Sequence, residues 1–430
     1  MNNKNNYNNR IVFSWALYDF ANSPFTTLVV TFIYATYFTK AIAADEISGT
    51  ALWSKAITIS AITVALLSPL MGSFADRGGY RKLFLFISTL ITIIGTVFLY
   101  FVLPGQIMKA LFWFIIANIA FEMGMVFYNA FLPDIAPQNK IGRISGYGWS
   151  LGYIGGLLAL FIGLIGFVNP EIPWFGFSKE AGENIRATNL IVAVWFCVFS
   201  IPLFIWVKED KSQISKGKIF STSINQLVNT FHEIKKYQQI IRLLIARLFY
   251  NDGLITIFAF GGIYAAGTFD FTFSEIIIFG IVLNAAAGAG AFLLGFLDDI
   301  IGGKKTIQIS LYALMLAVII AVVAPNKAIF WIAGIIIGIF SGPNQAASRS
   351  LMSRFVPPDK ENEFFGFFAF SGKFTAFLGP FLLGSLTELF NSQRVGVSIV
   401  LLLFIVGAIL LKYVNETEGI KSSGRSNQTP

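Results

Sequence analysis

The 430-residue chain has one cysteine and one histidine. Cys197 alone excludes a disulfide framework, and with His232 it cannot supply the ligand set of a Cys/His metal centre. His232 lies in a hydrophilic stretch, so a histidine proton relay inside a membrane is excluded too. Charge is scarce: Asp, Glu, Lys and Arg make up 13% of the residues, against ~25% in soluble domains. The longest polar stretch, residues 208–240, holds no catalytic set and is too short for a catalytic domain, so neither an enzyme nor a cofactor is expected. No cleavable leader is expected either. MNNKNNYNNR is polar and Asn-rich, and no small-residue cleavage site follows a short apolar core, so the first apolar run is expected to stay as a helix.

Apolar length is what the chain has in abundance. Hydrophobic residues are 55% of the sequence, and its mean hydropathy is +0.70. A run of ~20 apolar residues crosses a ~30 Å hydrocarbon core as a helix. The runs here are too long and too uniformly apolar for barrel strands. Twelve spans are expected, at 11–38, 53–75, 83–103, 107–131, 144–168, 187–207, 241–268, 274–297, 306–324, 328–348, 364–389 and 395–413. The fold class is therefore an all-α membrane protein with twelve transmembrane helices. Residues 1–207 form the first six-helix unit, 208–240 a linker, 241–414 the second unit and 415–430 a tail. In the linker, KIFSTSINQLVNTFHEIKKY fits both an amphipathic surface helix and a plain flexible segment.

Basic residues orient the chain. With the N-terminus inside, 21 Lys and Arg fall in inner segments against seven in outer ones, which puts both termini in the cytoplasm. The formal charge of +8 then faces anionic lipid rather than nucleic acid. The two halves echo each other. GSFADRGGYRK at 72–82 follows the second span and GFLDDIIGGKK at 295–305 follows the eighth, while Pro137 and Gly146 match Pro357 and Gly366. Such a duplicated six-helix unit is a transporter architecture, with the substrate site between the halves. Asp76 at a helix end, then Gly78, Gly79, Arg81 and Lys82, suits a tight turn locked by an ion pair. A basic loop that merely sets topology would look the same.

The run Gly72, Asp76, Arg77, Gly78, Gly79, Arg81, Lys82 resembles the loop signature of the major facilitator superfamily. WALYDFANSPF at 15–25, FYNAFLPDIA at 127–136, SGYGWSLGYIGG at 145–156, ARLFYNDGLITI at 246–257 and SRSLMSRFVPPDKENEFFGFFAFSGKFTAFLGP at 348–380 narrow the resemblance to its Atg22-like, or UMF1, branch. The resemblance implies two pseudo-symmetric six-helix bundles, alternating access, and efflux of small metabolites, amino acids leaving the vacuole in the fungal members. It also implies that Gly72, Asp76, Arg77, Gly79, Arg81 and Lys82 latch the halves together in an outward-open state, and that spans one, four, seven and ten line the cavity.

Candidate site residues are the polar groups inside the spans. Asp19 and its counterpart Asp252 lie near the inner ends of spans one and seven, either as interfacial caps or facing the cavity. Glu122 and Lys373 lie deeper, where a charge costs at least ~2.5–3.5 kcal/mol and normally faces a cavity or a partner. Lys373 either pairs with Asp252 or holds a substrate carboxylate, with Glu122 or Asp19 as proton carrier. Asn22, Asn118, Asn129, Asn251, Asn284, Asn344 and Gln345 complete the set. Gly148, Gly152 and Gly156, with AAAGAGA at 285–291, read as small-residue faces that pair spans five and eight. The expected function is a monomeric, proton-coupled secondary transporter of a small amphoteric solute in a bacterial inner membrane. A facilitator without coupling, or a scaffold that has lost transport, are the alternatives.

Overall fold

The computed structural model describes residues 8–209, 223, 226, 228–230 and 232–425. Among them are twelve helices of membrane-crossing length: α1 (Asn9–Ile42), α2 (Glu46–Gly78), α3 (Arg81–Tyr100), α4 (Ile107–Ile135), α5 (Ile141–Val168), α6 (Glu180–Trp206), α7 (Lys235–Phe269), α8 (Ser274–Ile301), α9 (Gly303–Val323), α10 (Lys327–Phe355), α11 (Glu361–Phe390) and α12 (Gln393–Lys412). A short α13 (Glu416–Ser422) follows. All twelve expected runs are recovered, with ends moved by at most seven residues. Local signals set those ends. Asp45 accepts from the backbone N–H groups of Ile47 and Ser48 to start α2, and Gly79 closes it at φ +61°, a left-handed turn that favours glycine.

Apolar side chains cover the outside, as lipid requires: Leu66, Phe112, Leu293 and Phe381 are exposed. Aromatic clusters fill each bundle, with Trp53 stacked on Phe114 at 3.9 Å in the first and Phe269 on Phe330 at 4.6 Å in the second. The bundles meet along α2–α11 and α5–α8. Bare backbone makes that contact possible. A Cβ at Gly72 would collide with the Asn362 carbonyl, one at Gly366 with the Ser68 carbonyl, and one at Gly146 with the Ala291 carbonyl.

One expectation about these glycines is corrected. Spans five and eight do pack, but through Gly142, Gly146 and Tyr153. Gly148, Gly152 and Gly156 face α1 instead, where added Cβ atoms would lie 2.5 Å from Asp19 Oδ2, 2.8 Å from Ser23 Oγ and 2.6 Å from Thr27 Oγ1. Residues 19, 23 and 27 repeat at the same four-residue step as the glycines, so two helices lie side by side within one bundle. Of the stretch 218–237, expected as a surface helix or a flexible segment, residues 218–222, 224, 225, 227 and 231 fall outside the described residues. Its described part touches the bundles: the Ser73 hydroxyl donates to the Ser223 carbonyl at 3.0 Å, and Arg77 donates to the Gln226 side chain.

Candidate functional site

Three tiers of polar contact join the bundles, starting at the face that carries both ends of the described chain. At this terminal face each bundle caps a helix of the other. Asp76, at the end of α2, accepts from the N–H of Asn362 at 3.0 Å, its amide at 2.6 Å, and the N–H of Glu363 at 2.8 Å. Asp299, at the end of α8, accepts from the N–H of Gly142 at 2.8 Å and of Arg143 at 3.3 Å, and pairs with the Arg143 side chain. Helix N-termini leave N–H groups without intrahelical partners and favour negative charge, so both carboxylates serve as caps across the interface. Among the described residues Asp76 makes no ion pair with Arg81 or Lys82, contrary to the tight-turn expectation. Arg81 pairs with Asp134 at 2.8 Å, and Lys82 donates to the Val207 carbonyl at 2.6 Å.

The tail adds a bolt. Arg425, just past α13, donates to the carbonyls of Val356 at 2.8 Å and Pro133 at 3.2 Å, and pairs with Glu361 and Asp134. It thus ties the end of α4 to the start of α11.

The second tier is Asp19 with Arg349. Arg349 leaves α10 and enters the first bundle, where Nη1 donates to Asp19 Oδ2 at 3.0 Å and to Asn129 Oδ1 at 3.2 Å. Its Nε and Nη2 donate to the hydroxyl and carbonyl of Ser145 at 2.9 and 2.7 Å. Trp15, Tyr128 and Trp149 surround the guanidinium at 4.8, 5.8 and 5.6 Å. Asp19 is therefore buried in an inter-bundle pair, and α1 runs as a π-helix over Phe25–Phe32, just beyond Pro24.

The third tier lies deepest. Lys373 Nζ meets Glu122 Oε1 at 2.5 Å, joining α11 to α4. Residues 361 to 373 rise ~18 Å along a helix, which puts the pair near the middle of a ~30 Å core. The two side chains are 29% and 22% exposed, whereas Arg349 and Asp19 are 2% and 8% exposed. The mid-depth pair is therefore partly accessible, whereas the second tier is sealed. At a similar depth the Tyr153 hydroxyl donates to Gln345 Oε1 at 3.1 Å. Among the described residues, no hydrogen bond between bundles lies beyond this level.

Helix α11 breaks immediately after Lys373, where residues 374–377 interrupt the helical ladder. Helix α7 supplies the partners that the break frees. The Leu248 carbonyl accepts from Thr375 Oγ1 at 2.8 Å, Asn251 donates to the Gly372 carbonyl at 3.2 Å, and Asp252 accepts from the Gly379 N–H at 2.9 Å. Broken helices at mid-membrane are tolerated only where backbone groups are satisfied in this way, and they are characteristic of transporter binding sites. The expected alternative of a Lys373–Asp252 pair is corrected: Asp252 caps the second half of α11 and Lys373 pairs with Glu122.

Comparison with known proteins agrees with this architecture. The family model described as "Vacuole effluxer Atg22 like" matches residues 41–424. The chain belongs to the Atg22-like family. An uncharacterised MFS-type transporter of Bacillus subtilis, YxiO, is 28% identical over 97% of both chains. Autophagy-related protein 22 of Yarrowia lipolytica is 21% identical over 86% of this chain and 76% of its own. Among solved structures, the MFS transporter FucP in its outward conformation has the same fold, with a TM-score of 0.73 at 12% identity over 94% of this chain and 98% of the other. The chain is a multi-pass membrane transporter of the major facilitator superfamily, not an enzyme.

In this Atg22-like chain the candidate residues divide into separate groups rather than one constellation. Asp19 and Asn129 share Arg349, Glu122 and Lys373 hold each other, and Asn251 and Asp252 hold the broken helix. Asn284 is spent on its own turn, donating to the Gly280 carbonyl at 2.8 Å. Asn344 is fully buried with both amide atoms unpartnered, and Asn22 Nδ2 likewise has no partner among the described residues. Two residues of the site lie outside the sequence candidates. Arg349 reads in the sequence as a loop cation, because the apolar run of α10 ends before it. Arg247 lies inside the seventh span, in the ARLFYNDG block, where its charge is the signal that marks it.

Proposed function

We propose that the protein is a secondary active transporter that moves a small amphoteric metabolite, such as an amino acid or short peptide, by alternating access coupled to protons. The Glu122–Lys373 pair carries this reading, because it joins the bundles at mid-depth, stays partly exposed and bounds the closed side. Protonation of Glu122 would free Lys373 and dissolve the deepest cross-bundle contact, and the outer tiers could then part. The conformer is closed at the terminal face, where each bundle caps a helix of the other. The lopsided basic residues support a cytoplasmic terminal face, and a Bacillus subtilis relative supports a bacterial inner membrane. The family description supports efflux.

Proteoliposome flux under an imposed pH gradient tests the reading. Wild type should accumulate at least one solute of a metabolite panel in a gradient-dependent way. Glu122→Gln should abolish coupling, and Lys373→Ala should cut flux at least ~10-fold, with unchanged insertion. Flux that ignores pH in wild type would make the protein a facilitator, and no flux at all a scaffold. Orientation is read separately in a Cys197→Ser background: Asn326→Cys should label from outside and Lys140→Cys should not.

A further inference from the structure

Arg247 has more hydrogen-bonding capacity than the protein uses. It lies on α7, and residues 235 to 247 rise ~18 Å, the same depth as Lys373 on α11. The guanidinium lies over Phe368, with Cζ 3.7 Å from the ring centroid. Nη1 donates to the Phe368 carbonyl at 2.7 Å and to Ser371 Oγ at 2.9 Å. Gly372 leaves the space beside it: a Cβ there would sit 2.8 Å from Nη1 and 3.1 Å from Nη2. The group is therefore held by a ring, two acceptors and a bare backbone.

The other edge is unspent. Among the described residues no acceptor meets the Nε or Nη2 protons, and no carboxylate pairs with Arg247. The side chain is half-buried, so that edge is not sealed in the core. The nearby acids are committed elsewhere: Glu122 to Lys373 and Asp252 to the Gly379 N–H. Nε and Nη2 together form the side-on fork that takes both oxygens of a carboxylate in parallel hydrogen bonds. Lys373 is the poorer candidate for that task, because it already holds an anion.

We propose that the Nε/Nη2 edge of Arg247 anchors the carboxylate of the transported solute, and so selects acids over their amides and over neutral sugars. This rests on the transport reading above and assigns its substrate contact to Arg247 rather than Lys373. The break in α11 sits one residue past Lys373, so an anion bound at Arg247 lies against the segment whose partners come from α7. Substrate binding and helix geometry thereby share one set of residues.

Flux in proteoliposomes of the full chain tests the assignment, using the twenty amino acids, small mono- and dicarboxylic acids, the corresponding amides, xylose and inorganic phosphate. Wild type should carry one or more acids, and each matching amide should compete ~10–100-fold more weakly, the range of a hydrogen-bonded charge. In Arg247→Gln the preference for acid over amide should collapse to within about threefold. A purely structural arginine would weaken acid and amide alike, so retained discrimination in this variant overturns the proposal. Arg247→Lys keeps the charge without the fork and decides the matter if the Gln variant does not fold: an anchor loses affinity for the acid, whereas a structural cation does not. Wild type that carries only xylose, other neutral solutes or phosphate overturns the carboxylate assignment while transport stands. Wild type that carries nothing overturns the transport reading, and this proposal with it.

Discussion

Asp19 and Arg349 come from different bundles, and their pair is nearly dry, with side chains 8% and 2% exposed. Among the described residues neither charge has another counter-ion. Removing one member of a buried pair typically costs ~3–5 kcal/mol, because the remaining charge is stranded, while replacing both by apolar residues costs far less. Asp19→Asn should therefore lower the unfolding midpoint in detergent more than the double variant Asp19→Leu/Arg349→Met does. The aromatic box of Trp15, Tyr128 and Trp149 moderates the penalty without removing it. A double variant less stable than Asp19→Asn would mean that the pair stabilises the protein outright. The sequence made Asp19 conspicuous as an acid in a membrane-length run. It hid the partner, because 330 residues separate the two and nothing local reports that distance.

Helices could be read from the sequence in number and approximate extent, because a lipid environment demands long apolar runs. Contacts could not. The interruption of α11 occurs within SGKFTAFLGP, where Pro380 lacks the N–H that would reach the Ala376 carbonyl, but the partners that α7 offers to the broken segment are not legible locally. The contact between α2 and α11 was only half visible: Gly72 belongs to a recognisable turn motif, but its reason for being glycine is the Asn362 carbonyl of the other bundle. That reason makes a prediction. Gly72→Val should prevent α2 from reaching α11 and so hold the terminal face apart. In a Cys197→Ser background, Ser145→Cys, buried beside Arg349 in the closed form, should then react several-fold faster with a thiol reagent applied from that face. Equal rates with and without Gly72→Val would show that the interface adapts and that the glycine is dispensable.

For the molecule as a whole, closure at the terminal face follows the internal repeat. Asp76 and Asp299 are 223 positions apart, and the N–H groups they cap, on Asn362 and Glu363 and on Gly142 and Arg143, are 220 apart. Each half therefore contributes one acid and one helix start, and the two contacts share no residue. A helix cap is worth ~1 kcal/mol, or ~5-fold in an equilibrium constant. Asp76→Ala should shift the balance toward a parted terminal face by about that factor, and Asp299→Ala by more, since it also loses its pair with Arg143. Independent sites add, so the double variant should shift it ~30-fold or more. Pulsed electron resonance distances between spin labels at positions 140 and 359, in loops of opposite bundles, would read the two populations directly. The Arg425 bolt remains in all three variants, so any residual closed population should fall further on Arg425→Ala. If the double variant keeps the wild-type distance distribution, the two caps do not set the balance, and closure would have to rest on the Asp19–Arg349 and Glu122–Lys373 tiers.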